Sequence, residues 1–243
     1  MLQKTKGIVL RSVKYGETSL VTTMFTYQYG IQIFMVQGVR TSTKKNRSGS
    51  FQPATLLDLV VYEQHQKNMQ RIREFQPAYI YQSLQEDVIK NSIVLFSVEV
   101  MLRLLPEHAP LPALFDFAFE YFITLDKMQL NSVANFPLFF IIQCSKVLGY
   151  ELKGKYSKDT PHLDMHDGGF TEELPGAAPF MNEEDAIILD QLISANTFAE
   201  LQPIEINGTI RLRLIDWYIA FLQLHTQHMS NIKSLTILKQ ILH

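Results

Sequence analysis

Cysteine is almost absent from this 243-residue sequence, which contains only Cys144. One cysteine forms neither an internal disulfide nor a cysteine-rich zinc ribbon, and its scarcity is typical of a reducing compartment. The most apolar run, Phe136 to Leu148, is too short to cross a bilayer and includes Gln143 and Lys146. The first residues also lack the continuous apolar stretch of a secretory signal. We therefore expect a cytoplasmic protein that is neither exported nor inserted in a membrane.

Catalytic motifs are also absent. The sequence has no glycine-rich phosphate loop followed by Lys and Ser or Thr, no G-x-G-x-x-G, no G-x-S-x-G and no H-E-x-x-H. Cys144 falls on the apolar side of a helical pattern beside Phe140 and Leu148, which favours a core residue over a nucleophile. The sequence therefore predicts a protein without enzymatic activity and without a cofactor.

Charge is divided unequally between the two parts of the chain. Residues 1–82 contain 11 Lys and Arg against 4 acidic residues, a net charge of +7, whereas the remainder carries −9. Phosphate neutralisation dominates affinity for nucleic acids. This division predicts that only the first part binds a polyanion and that the second part has another role.

The first 75 residues have the pattern of short β-strands separated by Gly, Pro and polar breaks. The predicted strands are Gly7 to Lys14, Ser19 to Tyr27, Ile31 to Val36, Thr55 to Glu63 and Met69 to Phe75. Five strands with a hairpin at Tyr29-Gly30 and no intervening helical pattern favour a small closed barrel, for which the OB fold is the obvious candidate.

From about Ser83 the apolar residues recur at helical spacing, so we predict an α+β protein with two domains. Residues 1–82 would form the OB-type barrel, and residues 83–243 an all-helical domain. Asn182 is a helix-start signal, and Lys146 with Gly149 marks a helix end. A Gly-, Pro- and His-containing insertion at about 150–181 is either a small subdomain or a mobile loop.

Basic residues cluster in the predicted loop that follows the third strand. We expect four of them to make the main contacts with nucleic acid: Arg40, Lys44, Lys45 and Arg47. Four further cations are expected to assist them: Arg11, Lys14, Arg71 and Arg73. A solvated surface loop is the alternative. The nearby aromatic residues are more consistent with barrel core than with base-stacking platforms: Phe25, Tyr27, Tyr29, Phe34 and Phe51.

The insertion includes three potential metal ligands at alternate positions, His162, Asp164 and His166. In an extended segment they would share one face and offer ligands suited to zinc. No second ligand cluster lies near them in sequence, and polar loops of this composition are common without metal. We therefore expect no bound metal and keep these three residues as weak candidates.

The order and spacing of several segments resemble the RecO family of bacterial proteins along nearly the whole chain. The N-terminal segments are GIVLRSVKYGETSLVTTMFTYQYG, QGVRTSTKKNRS and FQPATLLDL, and the helical ones are LPALFDFAFEYFITLD, FPLFFIIQCSKVLGYEL and NIKSLTILKQIL. Many family members have four zinc-binding cysteines after the Leu-Gly-Tyr element. Here that region has none, so the chain resembles the zinc-free branch.

The resemblance implies a nucleoid-associated recombination mediator that acts in DNA repair. Such a protein binds single- and double-stranded DNA, anneals complementary strands and acts with RecR. It also contacts the C-terminal tail of the single-stranded-DNA-binding protein and helps to load RecA recombinase. The acidic helical part is the expected place for partner contacts. Its candidates are Arg211, Arg213, Lys233 and Lys239, but a solvated helix face is the favoured explanation for each of them.

Three other interpretations remain open from the residues alone. An OB-fold RNA-binding protein would use the same cations but also contact the 2′-hydroxyl groups. A scaffold whose barrel binds only protein would lack salt-sensitive binding to nucleic acids. A metal-dependent hydrolase would need the ligands around His162 to hold a metal ion.

Overall fold

The structure, a computed structural model, describes residues 1–39, 48–62, 68–176 and 181–242. The chain divides into two compact units, Met1–Lys127 and Met128–His243. The first unit contains a β-barrel and two helices, and the second contains further helices and a small hairpin. The last barrel strand ends at Pro77, so the first compact unit continues well beyond the barrel.

Five strands form the barrel that the sequence predicts. They are β1 (Leu2–Tyr15), β2 (Ser19–Thr26), β3 (Gly30–Val36), β4 (Leu56–Tyr62) and β5 (Met69–Pro77). The strands close in the order β1-β2-β3-β5-β4, with β3 and β5 parallel and the other pairs antiparallel. A small Greek-key barrel of five strands is the OB type, and the predicted fold class is confirmed.

Strand β1 is longer than its sequence pattern predicts, because it pairs with two neighbours. Its first half, Leu2–Ile8, pairs with β4, and its second half, Gly7–Tyr15, pairs with β2. The register against β2 shifts between Val9 and Arg11. A bulge of this kind bends a strand and increases its twist, which helps a short sheet to close on itself.

Buried apolar side chains fill the interior of the barrel. Its buried core comprises Val9, Leu20, Met24, Phe34, Val36, Val39, Phe51, Leu57, Leu59 and Val61. Phe25 is equally buried, but it lies outside the barrel wall, where its ring is 5.3 Å from that of Phe115. Phe25, Phe34 and Phe51 are therefore core residues, as the sequence analysis favoured.

Two helices complete the first unit: α1 (Val88–Leu104) and α2 (Pro112–Lys127). The loop between them packs on the turn that joins β2 to β3. There Gly30 has a φ of +65°, and a Cβ atom at this position would lie 2.2 Å from the carbonyl oxygen of Ala109. Only glycine satisfies both the backbone conformation and the close approach.

The second unit contains α3 (Phe136–Val147), α4 (Glu183–Ser194), α5 (Phe198–Leu201), α6 (Gly208–His225) and α7 (Ser234–Ile241). The predicted helix signals are confirmed. The Asn182 side chain accepts a hydrogen bond from the backbone N–H of Asp185, and Gly149 has a φ of +82° after α3. Within the described ranges, no helix is long and apolar enough to cross a membrane.

The insertion contains a short antiparallel hairpin that sequence analysis did not specify. Its strands are β6 (His162–Asp164) and β7 (Gly169–Thr171), and residues 177–180 of the insertion lie outside the described ranges. Leu152, Leu163 and Met165 are buried. Apolar side chains therefore fasten the described part of the insertion to the second unit.

Candidate nucleic-acid interface

The eight cations predicted to contact nucleic acid fall into two groups. The four loop cations Arg40, Lys44, Lys45 and Arg47 lie outside the described residues. The other four are on barrel strands, where all four are exposed: Arg11, Lys14, Arg71 and Arg73.

Strand pairing places Arg71 between two residues that are distant in sequence. Arg71 pairs with Met35 of β3 on one side and with Tyr62 of β4 on the other. Met35 pairs in turn with Val21, and Val21 pairs with Val13 of β1. Paired residues point to the same side of a sheet, so these side chains form one continuous row.

This row lies on the outside of the barrel. The neighbouring residues Leu20, Phe34 and Val36 belong to the interior core, so alternation directs Val21 and Met35 outward. A second outward row passes through Arg11, Thr23, Ile33 and Met69. We call this surface the arginine face, formed by Arg11, Val13, Tyr15, Val21, Thr23, Ile33, Met35, Tyr62, Met69 and Arg71.

The arginine face combines positive charge with exposed apolar surface. Arg11 belongs to the row that reaches Met69, and Arg71 lies two residues further along the same strand, β5. Val13, Tyr15 and Tyr62 are 48%, 55% and 42% exposed. The face includes β2 and β3, the strands through which OB folds commonly bind oligonucleotides.

A separate groove of about 750 Å³ lies where the first half of β1, β4 and β5 pair with one another. We call it the lysine groove, lined by Lys4, Thr5, Lys6, Gln28, Asp58, Leu59, Val60, Arg73, Glu74, Phe75 and Gln76. Lys6 pairs with Asp58, and Arg73 Nε is 3.2 Å from Glu74 Oε1. The acidic neighbours offset much of the groove's positive charge, which makes it less suited to phosphate than the arginine face.

The structure thus brings together only two of the four barrel cations. Arg73 lies in the lysine groove, at a shift in register between β4 and β5. Lys14 pairs with Leu20, so alternation places it on the opposite side of β1 from Val13 and Tyr15. Tyr15 and Tyr62 are exposed aromatic residues that the sequence pattern does not single out, because neither lies within the predicted basic loop.

The weak metal candidates are grouped in the hairpin but are not arranged as ligands. The Asp164 Oδ1 atom accepts hydrogen bonds from the backbone N–H groups of His166 and Asp167, at 2.7 and 3.1 Å. Asp164 thus closes the turn between β6 and β7. Among the residues that the structure describes, no group of three or more His, Cys, Asp or Glu side chains is placed to hold a metal ion.

Three of the candidate partner-binding cations in the second unit are engaged in internal contacts. Arg213 makes a bidentate pair with the buried Asp185, at 2.8 and 2.7 Å, and this hydrogen bonding raises the pKa of Arg213. Arg211 donates to Asn135 and to the carbonyl of Ile206. Lys239 Nζ is 2.5 Å from an oxygen of Asp216.

Comparison with known proteins decides the family. The family model described as "Recombination protein O N terminal" matches residues 1–81, and "Recombination protein O C terminal" matches residues 85–159. The chain belongs to the RecO family. A "DNA repair protein RecO" of Bacteroides fragilis is 30% identical over 244 residues, covering 99% of both chains. Proteins of the same name from Christiangramia forsetii and Phocaeicola vulgatus are 28% and 27% identical, also over 99% of each chain.

The family assignment connects the barrel with DNA repair. The N-terminal RecO match covers all five strands, and the arginine face lies entirely within it. The function of this RecO-family chain is therefore DNA repair, and its basic OB-type barrel is the part whose charge suits DNA.

Proposed function

We propose that this RecO-family protein is a recombination mediator. In this role it binds single- and double-stranded DNA, promotes annealing of complementary strands, and acts with RecR in the bacterial cytoplasm. It helps to load RecA onto DNA coated by the single-stranded-DNA-binding protein. The observation that carries the proposal is the arginine face, where Arg11 and Arg71 lie on the same surface of an OB-type barrel.

Annealing of this kind needs no covalent chemistry. Two DNA strands repel each other through their phosphates, and a cationic surface that contacts both lowers the free energy needed to bring them together. Contacts with phosphates position DNA without identifying its bases. We therefore expect binding with little sequence preference and no chemical change in the DNA.

The main DNA contacts that we propose come from six cations. Four are the predicted loop residues Arg40, Lys44, Lys45 and Arg47, and two are Arg11 and Arg71 on the arginine face. Lys14, on the other side of β1, and Arg73, in the lysine groove, are proposed as peripheral contacts. Each lost phosphate contact should reduce the salt dependence of binding by about one unit of slope.

The direct test is fluorescence anisotropy of a labelled single-stranded oligonucleotide at several salt concentrations, followed by addition of the complementary strand. We expect tight, salt-sensitive binding and faster annealing. Alanine at Arg11 and Arg71 together should weaken binding to every sequence equally and flatten the salt slope. Lys158→Ala, at an exposed position in the second unit, is the matched control. An absence of binding at low salt would overturn the DNA role.

Partner contacts are proposed for the second unit. The second unit, Met128–His243, contains 8 Lys and Arg against 13 acidic residues, a net charge of −5, which disfavours DNA and leaves its surface available for proteins. Titration of a labelled peptide carrying the acidic C-terminal tail of the single-stranded-DNA-binding protein tests this assignment. Binding that survives Lys233→Glu and Lys239→Glu would exclude those two residues from the contact.

A further inference from the structure

We propose that Tyr62 is a stacking platform for an unpaired DNA base, with Arg71 beside it contacting the adjoining phosphate. This inference rests on the proposed function and adds the feature that distinguishes single-stranded from double-stranded DNA. Tyr62 is the last residue of β4, and Arg71 is its direct partner on β5.

The geometry places the two side chains together on the outside of the barrel. Paired residues have Cβ atoms about 5 Å apart and point to the same side of the sheet. Tyr62 follows Val61, which belongs to the barrel core, so the Tyr62 ring is directed outward. Its 42% exposure leaves part of the ring open to a ligand.

The residues that neighbour Tyr62 on the adjacent strands are also apolar or basic. On its other side Tyr62 pairs with Leu2, which is 40% exposed. Arg71 pairs with Met35, and the row continues through Val21 to the exposed Val13. Isolated exposed apolar residues are normal on protein surfaces, but this row is continuous around the barrel and has an arginine within it.

The charge of the arginine face indicates which ligand binds there. The arginine face carries two exposed arginines, and the barrel region as a whole has a net charge of +7, so its partner is an anion. Phosphate alone would not use the exposed rings. Single-stranded DNA presents both phosphates and base faces, and basic surfaces with aromatic platforms are how OB folds hold it.

Stacking would also suit annealing. A duplex hides the faces of its bases inside the helix, so it contacts the arginine face through phosphates only. A base stacked on Tyr62 uses its π face and leaves its hydrogen-bonding edge available to a complementary strand. The Tyr62–Arg71 pair would therefore retain a strand in a form that is ready to pair.

The test compares a thymidine oligonucleotide with an abasic oligonucleotide of the same length, which has the phosphates but no bases. Wild-type protein should bind the thymidine oligonucleotide more tightly. Tyr62→Ala should weaken that binding by about fivefold or more and leave abasic binding and the salt slope unchanged. Arg71→Ala should weaken both and flatten the slope. Thermal unfolding of each variant checks that the barrel is intact.

Two further variants of Tyr62 and one control distinguish ring stacking from general apolar contact. Tyr62→Phe keeps the ring and should bind like wild type, whereas Tyr62→Leu keeps an apolar side chain and should bind like Tyr62→Ala. Val88→Ala, at a position 70% exposed on α1, should have no effect. If wild type binds DNA but Tyr62→Ala binds both oligonucleotides unchanged, stacking at Tyr62 is wrong. If wild type binds neither oligonucleotide, the proposed DNA function itself fails.

Discussion

The buried ammonium group of Lys90 donates a hydrogen bond to the backbone carbonyl of Asp126, with an Nζ to O distance of 2.6 Å. Lys90 lies in the first turn of α1, and Asp126 lies in the last turn of α2. The Asp126 carboxylate accepts hydrogen bonds from the backbone N–H groups of Gln82, Ser83 and Leu84. The segment that follows the barrel is therefore fastened to the two helices of the first unit.

Replacement of Asp126 by Asn should destabilise this unit. Burial alone would raise the pKa of Asp126, but hydrogen bonds from the backbone and from the Tyr79 hydroxyl outweigh it and lower the pKa. The Asn side chain would present N–H donors to other donors, so we expect a loss of about 2 to 4 kcal/mol in the free energy of unfolding. Urea unfolding at pH 7 measures this loss, and Asp116→Asn, at an exposed position on α2, is the control.

The same variant should show a defined pH dependence. A carboxyl group with a lowered folded pKa contributes stability above its unfolded pKa, about 3.9, and loses it as the pH falls toward the folded pKa. The difference in stability between wild type and Asp126→Asn should therefore be constant near neutrality and narrow below about pH 4. A difference that grows on acidification would contradict the account of Asp126.

Gly30→Ala should destabilise the first unit by more than its backbone conformation alone explains. The new Cβ would collide with the carbonyl group of Ala109, in addition to the strain of a positive φ. We expect a loss of more than about 2 kcal/mol. Gly16→Ala is the matched control, because Gly16 has a φ of +59° with nothing within 4 Å of the added Cβ. It should cost about 1 kcal/mol. Equal losses in the two variants would show that the contact with Ala109 is unimportant.

The insertion should be stabilised by apolar packing and not by metal. Leu163 lies in β6 and is buried, so Leu163→Ala should reduce stability by about 2 to 4 kcal/mol. Leu174→Ala, at a position 64% exposed, should have little effect. A chelator should leave the Tm of the wild-type protein unchanged. Stoichiometric zinc in the purified protein, or a chelator-dependent fall in Tm, would instead support His162, Asp164 and His166 as metal ligands.

Matched DNA and RNA strands should bind with similar affinity at any one salt concentration. The proposed contacts involve phosphates and base faces, which both nucleic acids present, and none requires a 2′-hydroxyl group. Anisotropy titrations with oligonucleotides of equivalent sequence measure the ratio. A strong preference for RNA would favour the RNA-binding interpretation of the barrel.

The sequence predicts the barrel strands well, because each combines β-branched residues with clear breaks. It predicts β1 poorly at its start, since Leu2 to Lys6 has only weak apolar alternation, and pairing with β4 is what makes this segment a strand. Helix α1 has no sharp periodicity because apolar residues lie around most of its circumference. Its bounds therefore depend on packing that the sequence does not specify.

The candidate site, like the fold, is only partly predictable from the sequence. The excess of positive charge in the first 82 residues is visible in the sequence, and so is each arginine. The proximity of Arg71 to Tyr62, and its place on the same face as Arg11, follow from strand register around a closed barrel. Local sequence patterns do not encode that register, which is why Tyr62 was not predicted.

The parallel pairing of β3 with β5 joins only three residue pairs, Ile33–Met69, Phe34–Gln70 and Met35–Arg71. The antiparallel pairings of the barrel are longer, so this seam is where local opening should cost least and amide hydrogens should exchange fastest. A DNA strand that contacts Tyr62, Arg71 and Met35 would bridge the seam. Binding should then slow hydrogen exchange there and raise the stability of the whole barrel, because the ligand favours the closed form.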